Sequence, residues 1–361
     1  MTDSLLTETA ARVFADTCTF AAVEQAEADG FASDVWAAVA ETGLAWVSVP
    51  EAAGGPGGSL GDALEVVRVA GRFAAPVPLA ETGLLAGWLA AATGLPVPEG
   101  PATVVPGTPA DTLTWTGGRL HGSAHRVPWA AASERILVVV TDEGAPHVLS
   151  VPSRDVRIEP VVNLAGEPRE TVVFDAVAAD PAPAPAGVDG DALFARGALT
   201  RVAAMAGALE RTVELTVGYT NDRHQFGKAI GTFQAVQAHL VHAAQDAAIV
   251  TMALATATRA AGRGDARFEI AAAKLLADQA ASRVTRHAHQ AHGAMGMTRE
   301  YPLHHLTRRL WAWRSEFGDE RHWSRVLGTA LVAGGADGLY PTITGGSAVL
   351  GVRATQAGGI T

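Results

Sequence analysis

Apolar positions in the first hundred residues recur at helical spacing. Between Ser4 and Thr17, Leu5, Leu6, Thr9, Val13 and Phe14 return on one face, the period of a helix with one side buried. Ser33-Asp34 is a start signal for a second helix carrying Val35, Trp36, Val39 and Ala40, which Gly43 stops. A short apolar run and a Gly/Pro loop fill 45–59, and further helices are predicted over about 60–75 and 79–92.

The period changes after Gly94. A Pro-rich connector follows, and from Thr112 to Asp180 the pattern is one of short strands. TLTWTGGRLHG reads as a hairpin turning at Gly117-Gly118, RILVVVTD with HVLSVP as a second strand pair, and ETVVFDAV as another strand. Short strands separated by turns predict a small barrel or sandwich. PAPAPAGVDGD (181–191) reads as a stiff linker. Beyond it, four long Ala-rich segments, about 191–221, 232–262, 266–292 and 300–333, predict a four-helix bundle. The expected fold is α+β: an N-terminal helical domain (1–98), a middle β-barrel or sandwich domain (99–186), a C-terminal four-helix bundle (187–335) and a Gly-rich tail (336–361).

Composition narrows the function. The 361 residues are 48% hydrophobic and 18% charged, enough to bury a large core. A formal charge of −10 argues against general nucleic-acid binding. Cys18 is the only cysteine, so neither an internal disulfide nor a cysteine metal cluster forms, which fits a reducing, cytoplasmic setting. The N-terminal stretch carries acids and does not read as a secretory signal. Apolar runs such as Leu84 to Leu95 are too short to span a bilayer, so no membrane partner is expected.

Two glycine turns carry the candidate chemistry. In TNDRHQFGKAIGTFQAVQAHL (220–240) one helix ends, the chain turns at Gly227 and Gly231, and a new helix is entered through Phe233-Gln234. In HQAHGAMGMTREYPLHHLTRRL (289–310) Gly293 and Gly296 let backbone amides approach a ligand. On these residues the chain resembles the acyl-CoA dehydrogenase family. Arg223, Gln225, Phe226, Gly227, Phe233 and Gln234 match its Arg-x-Gln-Phe-Gly…Phe-Gln pattern. Gln290, Gly293, Ala294 and Gly296 match its Gln-x-x-Gly-Gly-x-Gly turn, and Glu300 to Leu303 follow as in the family.

The resemblance implies flavin chemistry. FAD lies between β-domain and bundle, a base removes the α-proton of an acyl-CoA thioester, the β-hydride moves to the flavin, and an electron-accepting flavoprotein is the redox partner. By this likeness Arg223 would bind the FAD pyrophosphate with Gln225 beside it, and Phe226 would support the flavin. Gln234 and the Gln290, Gly293, Ala294, Gly296 turn would meet a neighbouring subunit's FAD. Without the resemblance, the same residues read as helix caps and interface packing.

The chain also departs from the family. Counted without gaps from Tyr301-Pro302, the usual base slot falls on Phe317-Gly318-Asp319, with Glu316 one residue earlier. A second family slot falls on Gly197, and Glu210 and Glu214 further along read as a solvated or interface face. The loop that touches flavin and thioester is missing from 104–115, and Val127 and Trp129 remain as the remnants of a flavin-facing segment. These departures resemble the base-lacking partner subunits of bacterial α2β2 heterotetrameric, steroid-CoA-type members, in which a homologous second subunit supplies the base. A homotetramer or dimer is the other assembly. The alternatives are a non-catalytic scaffold subunit and a stand-alone flavoenzyme using Glu316. Arg196 and Arg201 are candidates for the CoA phosphate arm. Arg308 and Arg309 read either as phosphate ligands or as a surface cationic patch. His304, His305 and His322 lack a carboxylate–histidine pattern at helical spacing, so no metal is expected. Trp311 and Trp313 lie on different helix faces, so at least one must pack in the core.

Overall fold

The computed structural model describes residues 2–179 and 181–346. The chain divides into two compact units after Thr200.

The first unit opens with α1 (Thr2–Thr17), α2 (Phe20–Asp29), α3 (Ser33–Glu41), α4 (Leu60–Arg72) and α5 (Trp88–Thr93). The sequence pattern missed α2, because only Val23 and Ala26 of it are buried and the apolar stripe is faint. Its ends are held instead by a Thr19 side chain accepting from the Ala22 N–H and by Gly30 in the left-handed conformation. At α4, Ser59 and Asp62 form a reciprocal capping box. The run at 45–59 folds into 3-10 turns, Leu44–Trp46 and Glu51–Ala53, around its Gly/Pro loop.

The helix predicted over 79–92 is a correction in kind. Ala80–Gly87 is π-helical, and α5 continues it. All eight π-helical residues are buried, Glu81 included. Gly83 meets a neighbouring backbone here: a Cβ on it would lie 1.7 Å from the Ala45 carbonyl oxygen.

Eight strands follow: β1 (Ala102–Val104), β2 (Thr114–Thr116), β3 (Arg119–Pro128), β4 (Arg135–Asp142), β5 (Ala145–Pro152), β6 (Arg157–Glu159), β7 (Arg169–Ala178) and β8 (Pro181–Pro183). They form two four-stranded sheets, ordered β1-β4-β5-β8 and β2-β3-β7-β6. Leu120, Val127, Val172 and Phe174 from one sheet and Ile136, Val138, Leu149 and Val151 from the other share one apolar core. Two connectors prove to be strands. β1, inside the predicted Pro-rich connector, pairs parallel with β4. The start of the predicted 181–191 linker is β8, an edge strand on β5, where a proline's missing N–H costs no ladder bond.

α6 (Gly190–Asp222) begins in the first unit and runs into the second. After it come a short hairpin, β9 (His224–Gln225) and β10 (Lys228–Ala229), then α7 (Gln234–Ala261), α8 (Arg267–His292), α9 (Leu303–Trp313), α10 (Glu320–Ala333) and α11 (Leu339–Gly345). The fourth bundle segment is therefore broken at 314–319, where the sequence predicts one helix over 300–333. The expected tail is helical where described, at Ala336–Gly338 and α11; its remainder, from 347, lies outside the described residues. The expectation that no stretch reaches membrane-spanning length needs correction. α6 and α7 are long and apolar enough by length and composition, but 83% of the most apolar window of α6 is buried in protein, against 33% for α7.

Gly83→Ala should lower stability by about 3 kcal/mol, because a buried methyl forced onto a carbonyl must displace backbone. Thermal unfolding of the full chain checks this; an unchanged melting temperature would show that the turn at Ala45 yields freely.

Candidate functional site

The two glycine turns meet in the second unit. At the end of α6 the Tyr219 ring stacks on His292, the last residue of α8, with centroids 4.5 Å apart, and Tyr301 closes on both at 5.7 and 4.9 Å. The Tyr301 hydroxyl donates to the Leu215 carbonyl at 3.2 Å. Arg211, Glu214, Tyr219, Asp222, Arg223 and Tyr301 line a pocket of ≈ 490 Å³ beside this cluster. Burial pushes the imidazoles of His289 and His292 below their usual range and the Tyr301 phenol above its own.

The hairpin turns through Phe226 and Gly227, both at positive φ (53° and 80°). A left-handed phenylalanine costs about 1 kcal/mol, and nothing within the described chain covers it: Phe226 is 91% exposed. Its edge meets Phe233 at 6.1 Å, over whose other contacts the Lys228 ammonium sits 4.4 Å from the ring. Arg223, Gln225, Gln234 and Gln290 are all exposed near these turns. Gly293 has φ 61°, and Gly296 leaves no room for a side chain, since a Cβ would lie 2.8 Å from that of His292. Ala294 is exposed beside them.

Val127 and Trp129 belong to the first unit. Val127 is fully buried in the β-core and Trp129 nearly so, with φ 45° and the Arg169 guanidinium 4.6 Å above its ring. The next N–H, of Ala130, donates to the Glu170 carboxylate at 2.6 Å; burial nonetheless raises that carboxyl above its usual range. Arg196 is likewise engaged within the first unit. Its Nε donates to the Leu84 carbonyl at 2.6 Å, and its guanidinium lies 4.8 Å from the Trp88 ring. Burial lowers its pKa to about 10.

Where the ungapped count puts the family's base slot, the chain forms a turn in place of the continuous helix expected over 300–333. α9 ends at Trp313, and Phe317 and Gly318 both take positive φ (50° and 89°). The one-residue helical rotation that would carry Glu316 away from the slot therefore does not apply. Glu316 instead accepts from the Arg201 Nε at 2.7 Å, both side chains nearly buried at 11% and 4% exposure. The Arg201 guanidinium also lies 5.5 Å from the Phe317 ring. Gly197, the second slot, has no side chain. Glu210 accepts from Thr251 at 2.9 Å, and Glu214 pairs with Arg211 at 3.2 Å on the surface. Trp313 and Trp323 are buried, whereas Trp311 is exposed with Arg314 against its ring. Arg309 is fully buried, so it is no part of a surface cationic patch; Arg308 is half-buried.

Sequence reasoning missed the residue beneath this turn. Lys274, fully buried on α8, donates to Asp278 Oδ1 at 2.6 Å and to the carbonyls of Arg314 and Gly318 at 3.0 and 2.9 Å. An ammonium meets all three partners with N–H bonds; an amine meets the two carbonyls the same way and takes the shared proton from Asp278. Burial works to lower the Lys274 pKa. Burial of Asp278 raises its pKa to about 7 against the pull of Lys274 and Arg314, with Glu320 adding to the rise. The signal was present in AAAKLLADQAA, where a Lys and an Asp at i,i+4 share a small-residue face with Ala271, Ala277 and Ala281.

The chain is similar to known proteins along most of its length. Residues 2–94 match the family model for the acyl-CoA dehydrogenase N-terminal domain, and residues 191–321 match that for its C-terminal domain. The chain is 29% identical over 304 residues to Acyl-CoA dehydrogenase IpdE2 of Mycobacterium tuberculosis, spanning 83% of this chain and 88% of that protein. It is similar to the solved structure of the Tcur3481–Tcur3483 steroid ACAD, with TM-score 0.82, 26% identity, and 92% and 98% of the two chains covered. The ChsE4–ChsE5 complex from Mycobacterium tuberculosis shares the fold, with TM-score 0.82 at 22% identity over 91% of this chain and 97% of that one.

The raised pKa of Asp278 has a stability signature. Between about pH 4 and 7 the native state keeps a proton that the unfolded chain has released, so this group's contribution falls as pH rises and is level above about 7. The stability difference between the wild type and Asp278→Asn should therefore fall across that window, by an amount on the order of 4 kcal/mol. Denaturant titrations at several pH values measure it; a level or rising difference contradicts the assignment.

Proposed function

We propose that this chain, which belongs to the acyl-CoA dehydrogenase family, is the base-lacking component of a flavin-dependent complex that dehydrogenates an acyl-CoA thioester, a homologous second subunit supplying the base. The observation behind this reading is the pairing of Glu316. Glu316, adjacent to the usual slot in sequence, already serves as counter-charge to the nearly buried Arg201, and Phe317 holds the slot itself. Taking up a substrate proton would strip Arg201 of that counter-charge, and breaking a buried pair costs about 3–5 kcal/mol.

The residues of the second unit fit a flavin dinucleotide. Arg223 offers an exposed planar cation suited to a pyrophosphate, with the Gln225, Gln234 and Gln290 amides for neighbouring polar groups. The 293–296 turn offers backbone at close approach, and the uncovered Phe226 offers a flat apolar face. FAD, when bound there, accepts the hydride from the β-carbon of the acyl group. An electron-accepting flavoprotein then reoxidises the complex. Arg201, bound to Glu316, and Arg196, bound to the Leu84 carbonyl, serve structure in this reading and leave the CoA phosphates to other groups.

A partner subunit has a surface to meet. Val241, Ile249 and Met252 leave an apolar strip exposed along α7, which supports a subunit face over a membrane-spanning role for this helix. The acyl group is bulky and polycyclic in this reading, in line with the steroid ACAD to which the chain is similar. A complex of unlike subunits leaves such a group a wider cavity than four identical ones. The single Cys18 is consistent with work in the cytoplasm.

Arg223→Met should weaken FAD binding by the complex about tenfold or more, since a charge-assisted bond contributes roughly 1.5–3 kcal/mol; titration of the deflavinated complex with FAD measures this. Glu316→Gln, which keeps an oxygen for Arg201 but removes its counter-charge, should lower stability yet leave turnover per folded mixed complex within about threefold, well short of the 10²-fold or greater loss expected for a general base. If the chain alone reduces its flavin with an acyl-CoA, and this substitution abolishes the reaction, the stand-alone reading is correct instead.

A further inference from the structure

We infer that Lys274 is a positioning residue, which with the Trp323 indole holds the 314–318 turn in the one shape that presents residue 317 at the slot and draws Glu316 onto Arg201. The importance of that slot rests on the function proposed above; the geometry of the turn does not.

The carbonyls that Lys274 binds, those of Arg314 and Gly318, bracket the turn on both sides. Within it the Ser315 and Glu316 N–H groups return to the Ala312 and Trp313 carbonyls at 3.2 and 3.1 Å. The Phe317 carbonyl, between the two Lys274 acceptors, takes the Trp323 Nε1–H at 3.0 Å. Three carbonyls of the turn, those of Arg314, Phe317 and Gly318, are thus met by two buried side chains from α8 and α10. A left-handed Phe317 survives only where its surroundings over-determine it, and these bonds do so. Gly318 is required by the same contact, since a Cβ on it would lie 2.6 Å from the Trp323 Nε1. Asp278 is bonded to Lys274 at 2.6 Å, with Arg314, Glu320, Arg201 and Glu316 as the other charged groups near the pair.

The division of labour is testable by replacing tryptophan with 5-fluorotryptophan in the full chain and recording fluorine NMR, with the Trp323 signal assigned by its loss in Trp323→Phe. Asp278→Asn keeps the Lys274 nitrogen and its two carbonyl bonds, which an amine's two N–H groups suffice to make, so the Trp323 signal should stay in place. Lys274→Met removes those bonds and should shift or split it by more than a linewidth. The double variant Lys274→Met with Asp278→Leu replaces the buried pair by apolar groups, an exchange often neutral for stability. It should melt within a few degrees of the wild type and still show the displaced signal. A double variant that folds with the Trp323 signal unmoved overturns the inference, as does Asp278→Asn moving it as far as Lys274→Met. The readout needs no flavin, substrate or second subunit, so failure here is separate from failure of the proposed function.

Discussion

A lysine nitrogen enclosed in an Ala-rich helix bundle must find hydrogen-bond partners or exact a large desolvation cost. Lys274 finds one in Asp278 and two in backbone carbonyls that a continuous helix would have kept for itself. That demand explains why the last bundle segment is broken where it is. Arg314 to Gly318 leave helical geometry, Asp319 caps the new helix through the His322 N–H, and Trp323 folds back onto the Phe317 carbonyl. Trp313 and Trp323 pack on either side of the break, and only Trp311 faces out.

The same turn decides the chemistry open to this chain. A helix through 316 and 317 would have sent the two side chains about 100° apart. The turn instead sets Glu316 on Arg201 and the Phe317 ring 5.5 Å from the same guanidinium. In the proposed function, Phe317 at the slot thus stands beside a charge-compensated arginine in place of a carboxylate awaiting a proton.

At the other end of the bundle the chain carries features that its own fold leaves open. The left-handed, exposed Phe226, the exposed Arg223 and the apolar strip of α7 serve no packing need within the described chain. These open features are what the proposed function assigns to a cofactor and a second subunit.

Periodicity made most of the architecture legible. The helical run, the strand pairs with the Gly117-Gly118 turn and the long bundle helices all follow from residues that repeat every two or every three to four positions, because burial of one face is a local property of the chain. The glycine turns and their Arg223 and Gln290 flanks were legible for a similar reason: backbone at positive φ needs particular residues at particular places. What only the tertiary structure decided are the outcomes of long-range polar demand. The π-helix at 80–87, β1 and β8 inside apparent connectors, the break at 314–319 and the pairing of Arg201 with Glu316, 115 residues apart, each depend on which distant carbonyl or charge a buried group reaches. Hydrophobic pattern records that a residue is inside, and it carries no record of what a buried charge finds there.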